Sequence, residues 1–239
     1  MVNILEVGVG NMTGFNHLNY DIPNLKTKNV DGKRFYECGK EKYYPSITTV
    51  LSADPKKKKG LADWRKKVGE KEANKISGMA VRKGTAVHSL IEDYINNKEG
   101  IFEGVMPNVI ESFTSIKHIL DLYIGDVYAQ EVSMFSDHLK VAGRVDLIGE
   151  FDSQLSVVDF KTSRKTKKKS WIHSYFIQAC AYSIMWEEMT NIPIKQLVVL
   201  ITVDGARPQV FMEHRDSWTD SLYRMIDIYY KQQGSTYGS

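Results

Sequence analysis

The spacing of apolar positions changes character along the chain. Before about residue 45 they are scattered, and Asn29 to Gly39, NVDGKRFYECG, sets an Asp-Gly pair between two short alternating runs, predicting a hairpin. Ser46 precedes ITTVL, a hydroxyl followed by an apolar run, which marks a capped helix start; DPKKKKG then reads as a loop. From Leu61 to about Asn97 the spacing is helical, with breaks expected at Ser77-Gly78 and at Lys83-Gly84. Another helix begins at Pro107 and reaches about Ile124. The period then falls to two. Val127 to Phe135, Leu139 to Ile148 and Leu155 to Lys161 predict three strands joined by short polar turns. A helix from about Trp171 to Met189, a buried strand QLVVLITV from Gln196, a strand at Val210 to Met212 and a helix from Ser217 to about Lys231 follow. This order predicts an α+β fold, a mixed sheet flanked by helices.

Two aspartates interrupt the strand pattern. Asp146 and Asp159 each sit inside an otherwise apolar run. A hairpin turning at Asp152-Ser153 sets Asp146 directly across from Asp159, on one face, with Cβ atoms about 5 Å apart. Alternation puts Lys161 on that face too, while Val158 and Phe160 point into packing. Carboxylates this close repel, so one keeps its proton unless a cation compensates. A few oxygen ligands with room left for water and a phosphate suit Mg²⁺ or Mn²⁺. The plainer alternative is a strand-end ion pair between Lys161 and Asp159.

Composition and charge narrow the setting. The chain has 239 residues, 42% of them apolar, enough for a substantial core, and it is expected to form one domain. Within it, residues 1–125 would hold the hairpin and helices, and residues 126–239 the sheet core. No apolar run is long enough to span a membrane. The stretch MVNILEVGVGNM lacks the basic region of a secretory signal and the Arg/Ser character of an organelle presequence. Cys38 and Cys180 form no metal-ligand spacing and read as reduced thiols of a cytoplasmic protein. The net charge is only +3, but it is segregated: residues 54–83 hold eleven Lys/Arg against four acids, and residues 161–169 hold six and no acid. Such segregation fits a surface that binds a polyanion, against the alternative of a solvated lysine-rich face.

Asp146 followed by Asp159-Phe160-Lys161 at a strand end resembles the PD-(D/E)XK nuclease signature in its RecB-type form. RKGTAVHSLIEDY resembles that group's first motif, with Gly84, His88 and Glu92 at four-residue spacing on a helix. QEVSMFSDHLKVAGRVD resembles its glutamate strand and AG-x-x-D strand, led by Glu131, and YFIQACAY its Q-x-x-x-Y helix, through Gln178 and Tyr182. DGKRFYECGKEKYYPSITTVLS and LADWRKKVGEKEANKI resemble the N-terminal half of phage exonucleases similar to mitochondrial genome maintenance exonuclease. The resemblance covers roughly residues 30–190.

The resemblance implies a restriction-endonuclease-like core and hydrolysis of DNA, in the host cytoplasm if the protein is phage-encoded. It implies that Asp146, Asp159, His88 and the Phe160 carbonyl hold Mg²⁺ or Mn²⁺, and that Lys161 serves the attacking water and stabilises charge on the phosphate. Gln178 would orient the site and Tyr182 touch the DNA backbone. Glu131 could support the site through water or be an ordinary strand carboxylate, and Glu92 could pair with Lys83, Arg144 or nothing. Ser46 and Thr48 would contact phosphates, or simply cap a helix. Trp64 with Arg65, and Lys165 with Lys167, would grip a single strand by stacking and charge. Two cysteines cannot supply the four-cysteine clamp that holds an iron–sulfur cluster in several RecB-type relatives. The expected partner is DNA with single strands or free ends, and the expected activity is exonuclease. A structure-selective endonuclease with the same site, and a nonhydrolytic single-strand-binding module on this fold, stay open.

Overall fold

The structure, a computed structural model, describes residues 14–18 and 20–234; the N-terminal MVNILEVGVGNM lies outside them. Strands β1 (Thr27–Val30), β2 (Lys33–Glu37) and β3 (Tyr43–Pro45) form a small antiparallel sheet. The β1–β2 turn is the expected Asp31-Gly32, both at positive φ (49° and 73°), as a tight two-residue hairpin requires. Ser46 caps helix α1 (Ile47–Ser52), its Oγ accepting the Thr49 N–H at 3.0 Å.

The lysine run is helix, not loop. Helix α2 (Pro55–Val68) starts there because Asp54 accepts the Lys56 N–H at 2.9 Å and Pro55 occupies a first-turn position, where a missing donor costs nothing. Helix α3 (Glu70–Ile95) then runs unbroken through Ser77-Gly78 and Lys83-Gly84. The break falls earlier, at Gly69, whose φ of 84° suits a residue without Cβ. Gly78 and Gly84 each cost the helix about 1 kcal/mol of propensity, which a long helix tolerates. At Gly84 a Cβ would lie 3.6 Å from Thr162 Oγ1, so α3 runs close to the strand that carries Thr162. Helix α4 (Pro107–Tyr123) follows the expected course.

The main sheet has the order β4 (Ile124–Ser136), β5 (Val141–Phe151), β6 (Gln154–Ser163), β7 (Gln196–Val203), β8 (Gln209–His214). All pairs are antiparallel except β6–β7, joined by crossover helix α5 (His173–Thr190). Helix α6 (Thr219–Gln232) closes the described chain. Alternation along β6 feeds two cores. Val157 packs with Ile47, Phe176, Trp186 and Ile226 under α1, α5 and α6, whereas Val158 and Phe160 pack with Val87, Ile91, Phe113 and Leu120 under α3 and α4. Helices therefore cover both faces, as predicted for the α+β class. Among the described residues no helix is long and apolar enough to cross a membrane.

Helix α5 comes down on β5 where Gly143 leaves space. A Cβ at that position would stand 2.6 Å from the ring of Tyr182 and 3.3 Å from Ile47. Tyr182 is buried and cannot swing clear. Gly143→Val is expected to lower unfolding free energy by about 1–3 kcal/mol, read as a drop in denaturant midpoint at unchanged slope. An unchanged midpoint would show that the α5–β5 contact is looser than described.

Candidate active site

Strands β5 and β6 pair from Phe151↔Gln154 to Leu147↔Val158 and then part. The turn between them is Asp152-Ser153, both at positive φ, as expected from sequence. β6 continues in register with β7 as far as Ser163, so it is β5 that peels away. Past the last rung the Phe160 N–H has no ladder acceptor on β5. Asp146 Oδ2 takes it, at 2.8 Å. The predicted apposition of Asp146 and Asp159 thus falls at the first missing rung, where the strands have opened.

The pleat is also disturbed one strand over. In the β4–β5 register, Gln130↔Leu147 and Val132↔Val145 leave Glu131 facing Asp146. Glu131 has φ of 52°, and Val145 and Leu147, two residues apart, join different cores. This irregularity turns Glu131 toward the opening. From above, α3 supplies His88, whose Nδ1 stands 3.5 Å from Asp146 Oδ1. One ligand atom each from His88, Glu131 and Asp146 lie within 4.8 Å of one another, a grouping able to hold a metal ion. Asp159 is not in this trio, whereas Glu131, expected either to support the site through water or to be an ordinary strand carboxylate, is. Asp159 Oδ1 is taken by Lys161 Nζ at 2.5 Å, while its Oδ2 is buried with no partner.

The electrostatics follow from burial and crowding. Burial, followed by the Asp146 charge, pushes Asp159 up to about 6 against the opposing pull of Lys161. Burial and Asp146 push Glu131 up to about 7, against Arg144, which pairs with it at 2.8 Å. Burial would raise Asp146 as well, but His88, Lys161 and the Phe160 N–H outweigh it and hold that carboxyl below its ordinary value. Lys161 is destabilised by burial and more than restored by Asp159 and Asp146, so it stays an ammonium.

The remaining expected residues divide into those near this opening and those elsewhere. On α5, Gln178 Nε2 donates to Tyr182 Oη at 3.2 Å, and Tyr182 feels both aspartates. Glu92 lies one turn beyond His88 and adds to the negative field at Glu131; Lys83 and Arg144, its suggested partners, bind Asp204 and Glu131 instead. Ser46 is buried, its hydroxyl bonded to Thr48 and Thr49, whereas Thr48 is exposed. Trp64 is half-buried on α2, and Arg65 is held by Glu70 and Asn74. Lys165 is exposed, and the main chain of Lys167 is bonded on both sides by Gln209. Sequence reasoning missed Tyr175, whose ring lies 5.3 Å from Lys161 Nζ. Its position three residues before Gln178, on one helix face, was the available signal.

A family model described as the PD-(D/E)XK nuclease superfamily matches residues 62–227, well over half of the chain. The chain belongs to this superfamily. Its mixed five-stranded sheet with flanking helices is the restriction-endonuclease-like core of these nucleases. The chain is similar to mitochondrial genome maintenance exonuclease 1 of Homo sapiens, at 28% identity over 208 residues covering 79% of this chain and 59% of that protein. It is also similar to the protein of that name from Mus musculus, at 28% over 129 residues covering 52% of this chain and 38% of that one. The chain thus spans about three fifths or less of the length of these curated relatives. A solved structure of an inferred exonuclease from Eubacterium rectale aligns with a TM-score of 0.44 at 13% identity, covering 66% of this chain and 70% of that one. That last likeness is too slight to build on.

Asp159 and Glu131 hold protons in the fold at pH values where the unfolded chain has released them, since their ordinary values are 3.8 and 4.5. The metal-free fold therefore loses stability as pH rises through about 6 and about 7, whereas the opposite contribution of Asp146 acts below its ordinary 3.8. In EDTA, Tm is expected to fall by several degrees between pH 5.5 and pH 8, at roughly 2–4 °C per kcal/mol for a chain of this size. MnCl₂ should remove most of that fall, because a cation replaces the protons. A metal-free Tm that is flat or rising over this range would contradict the assigned shifts.

Proposed function

We propose that the protein is a metal-dependent DNA exonuclease acting on single strands or free ends. The observation that carries this reading is the convergence of Asp146, Asp159 and Lys161 with His88 and Glu131 at the parting of β5 and β6. Three carboxylates and one imidazole form a mainly hard donor set, and the buried, unpartnered Oδ2 of Asp159 lacks a cation or a donor. Asp146, Asp159, His88 and the Phe160 carbonyl, joined by Glu131, would hold Mg²⁺ or Mn²⁺. Bound there, such an ion neutralises the carboxylates, lowers the pKa of a water and takes up charge on the phosphate.

The chain's own groups then have defined tasks. Asp146 is fixed by the Phe160 N–H through Oδ2, which leaves Oδ1 facing His88 at 3.5 Å. Lys161 donates from a half-buried position beside Asp159, where its ammonium can orient a water and face a phosphate oxygen. Gln178 and Tyr182 close the α5 side, and their hydrogen bond fixes the Gln178 amide. A cavity of about 1100 Å³, above the roughly 300–1,000 Å³ of small-molecule pockets, opens between α3 and α4 beyond the end of β6, and none of the five site side chains lines it. Its walls include Thr162 and Ser163, the cations Lys75, Lys83, Arg164 and Arg207, and the acids Glu72, Glu111 and Asp204.

End dependence is supported by the helical arm. Helix α2 buries none of its residues and carries seven Lys/Arg in fourteen positions. A basic helix standing off the core can close a passage that only a free end threads. On this reading the whole chain works as one nuclease domain, residues 1–125 giving the arm and residues 126–239 the catalytic sheet. Lys56, Lys57, Lys58 and Lys59, with Thr48, Trp64 and Lys165, would hold the strand largely without regard to sequence.

Purified protein with Mn²⁺ should digest linear single-stranded DNA and leave covalently closed single-stranded circles intact; cleaved circles would favour an endonuclease. Lys161→Ala is expected to lower the hydrolysis rate by roughly 10²–10⁴-fold while single-strand affinity in EDTA stays within about twofold. Full-rate hydrolysis by that variant would remove Lys161 from the mechanism. Neutralising Lys56 to Lys59 together should lower the slope of log affinity against log salt by up to about 3, at about 0.7 per phosphate contact on single strands. An unchanged slope would make this run a solvated face.

A further inference from the structure

Past Lys161, β6 enters a basic loop, then a 3-10 turn at Lys169–Trp171 that leads into α5. This connection is pinned at several points. Gln209 of β8 donates to the Lys167 carbonyl at 3.0 Å and accepts the Lys167 N–H at 2.7 Å. Lys169 pairs with Glu213 of the same strand, and Ile172 is completely buried. The Trp171 N–H donates to the Lys168 carbonyl at 2.9 Å. A tryptophan held by its neighbours on both sides nevertheless stands 62% exposed.

Single exposed apolar residues are common and decide nothing by themselves. Here the surroundings add two independent facts. Lys168 Nζ lies 5.5 Å from the Trp171 ring, and among the described residues Arg164, Lys165 and Lys168 make no ion pair with an acid. The order 171, 175, 178, 182 repeats every three or four residues, which marks one face of α5 and of the turn before it. That face grades from exposed Trp171 through half-buried Tyr175 and Gln178 to buried Tyr182 beside the aspartates. An indole on a fixed base, flanked by unpaired cations and in line with the active site, is the arrangement that stacks an unpaired base while neighbouring charges hold its phosphates.

We propose that Trp171 is a stacking platform for an unpaired nucleobase of the strand engaged at the active site. This assignment rests on the nuclease reading above and gives it a physical source of preference for single strands, because a base inside a duplex presents no free face.

The test is binding of a labelled oligo-dT in EDTA, followed by anisotropy and by tryptophan fluorescence. Trp171→Ala is expected to weaken binding roughly five- to a hundredfold, Trp171→Phe to keep most of the affinity and lose much of the fluorescence quench. Binding of heparin, a polyanion without bases, should be the same in wild type and Trp171→Ala. Unchanged oligo-dT affinity in Trp171→Ala would overturn the proposal. So would an equal loss of heparin binding, which would mean that Trp171 only presents the lysines, or Trp171-dependent binding to anionic lipid vesicles in place of oligo-dT. If Trp171→Ala lowers Tm, the Trp171→Phe quench decides. Wild-type hydrolysis of linear DNA with Mn²⁺ is measured alongside. Its absence would sink the nuclease reading, whereas hydrolysis with unaltered Trp171→Ala binding sinks this assignment alone.

Discussion

One hydrogen bond, from the Phe160 N–H to Asp146, organises the candidate active site of this molecule. A buried amide that loses its ladder partner must find another acceptor or cost the fold several kcal/mol. By accepting it, Asp146 lets β5 leave β6 while β6 stays fixed to β7. The gap so created is the site. It also explains why a carboxylate can sit within an apolar strand: one of its oxygens satisfies the main chain and the other faces His88.

The same gap concentrates charge that the fold alone would not choose. Asp159 is 1% exposed, leans on Lys161 through one oxygen and leaves the other without a donor. Removing two opposite charges from water gains little unless every lone pair is met, so this pair is a weak source of stability. Lys161 acts as an internal counter-ion in the absence of metal, and the cost is borne by the two cores that clamp β6 from both faces. Under the proposed function, stability given up here leaves donors unspent for a cation and a phosphate. Around this centre stand the exposed α2, with its seven Lys/Arg, and the pinned Trp171 turn.

Much of this was legible in the residues because the signals were local. The period-two runs, the two-residue turn at Asp152-Ser153 and the resulting meeting of Asp146 with Asp159 follow from alternation and turn chemistry. His88 entered only through the resemblance of RKGTAVHSLIEDY to a known helical motif, since a lone histidine on a helix announces nothing. Glu131 was named through the same resemblance, but its approach to Asp146 depends on a positive φ inside a strand, which no side-chain pattern announces. The first turn and a half of α2 was hidden because residues 56–59 are all lysine and offer no apolar position; only Asp54-Pro55 marked its start. Choosing Gly69 over Gly78 as the break needed the conformation of the main chain. Trp171 looked like the first residue of a helix, and its exposure became visible only once Gln209 and Glu213 were seen to hold the turn.

The most direct test of the account is calorimetric titration of Mn²⁺ at pH 8 into the wild-type protein and into Asp146→Asn and Asp159→Asn. Saturable uptake by the wild type, weakened at least tenfold in each variant, is the predicted result. Uptake that survives neutralisation of Asp146 would contradict the claim that the parting of β5 and β6 builds a cation site.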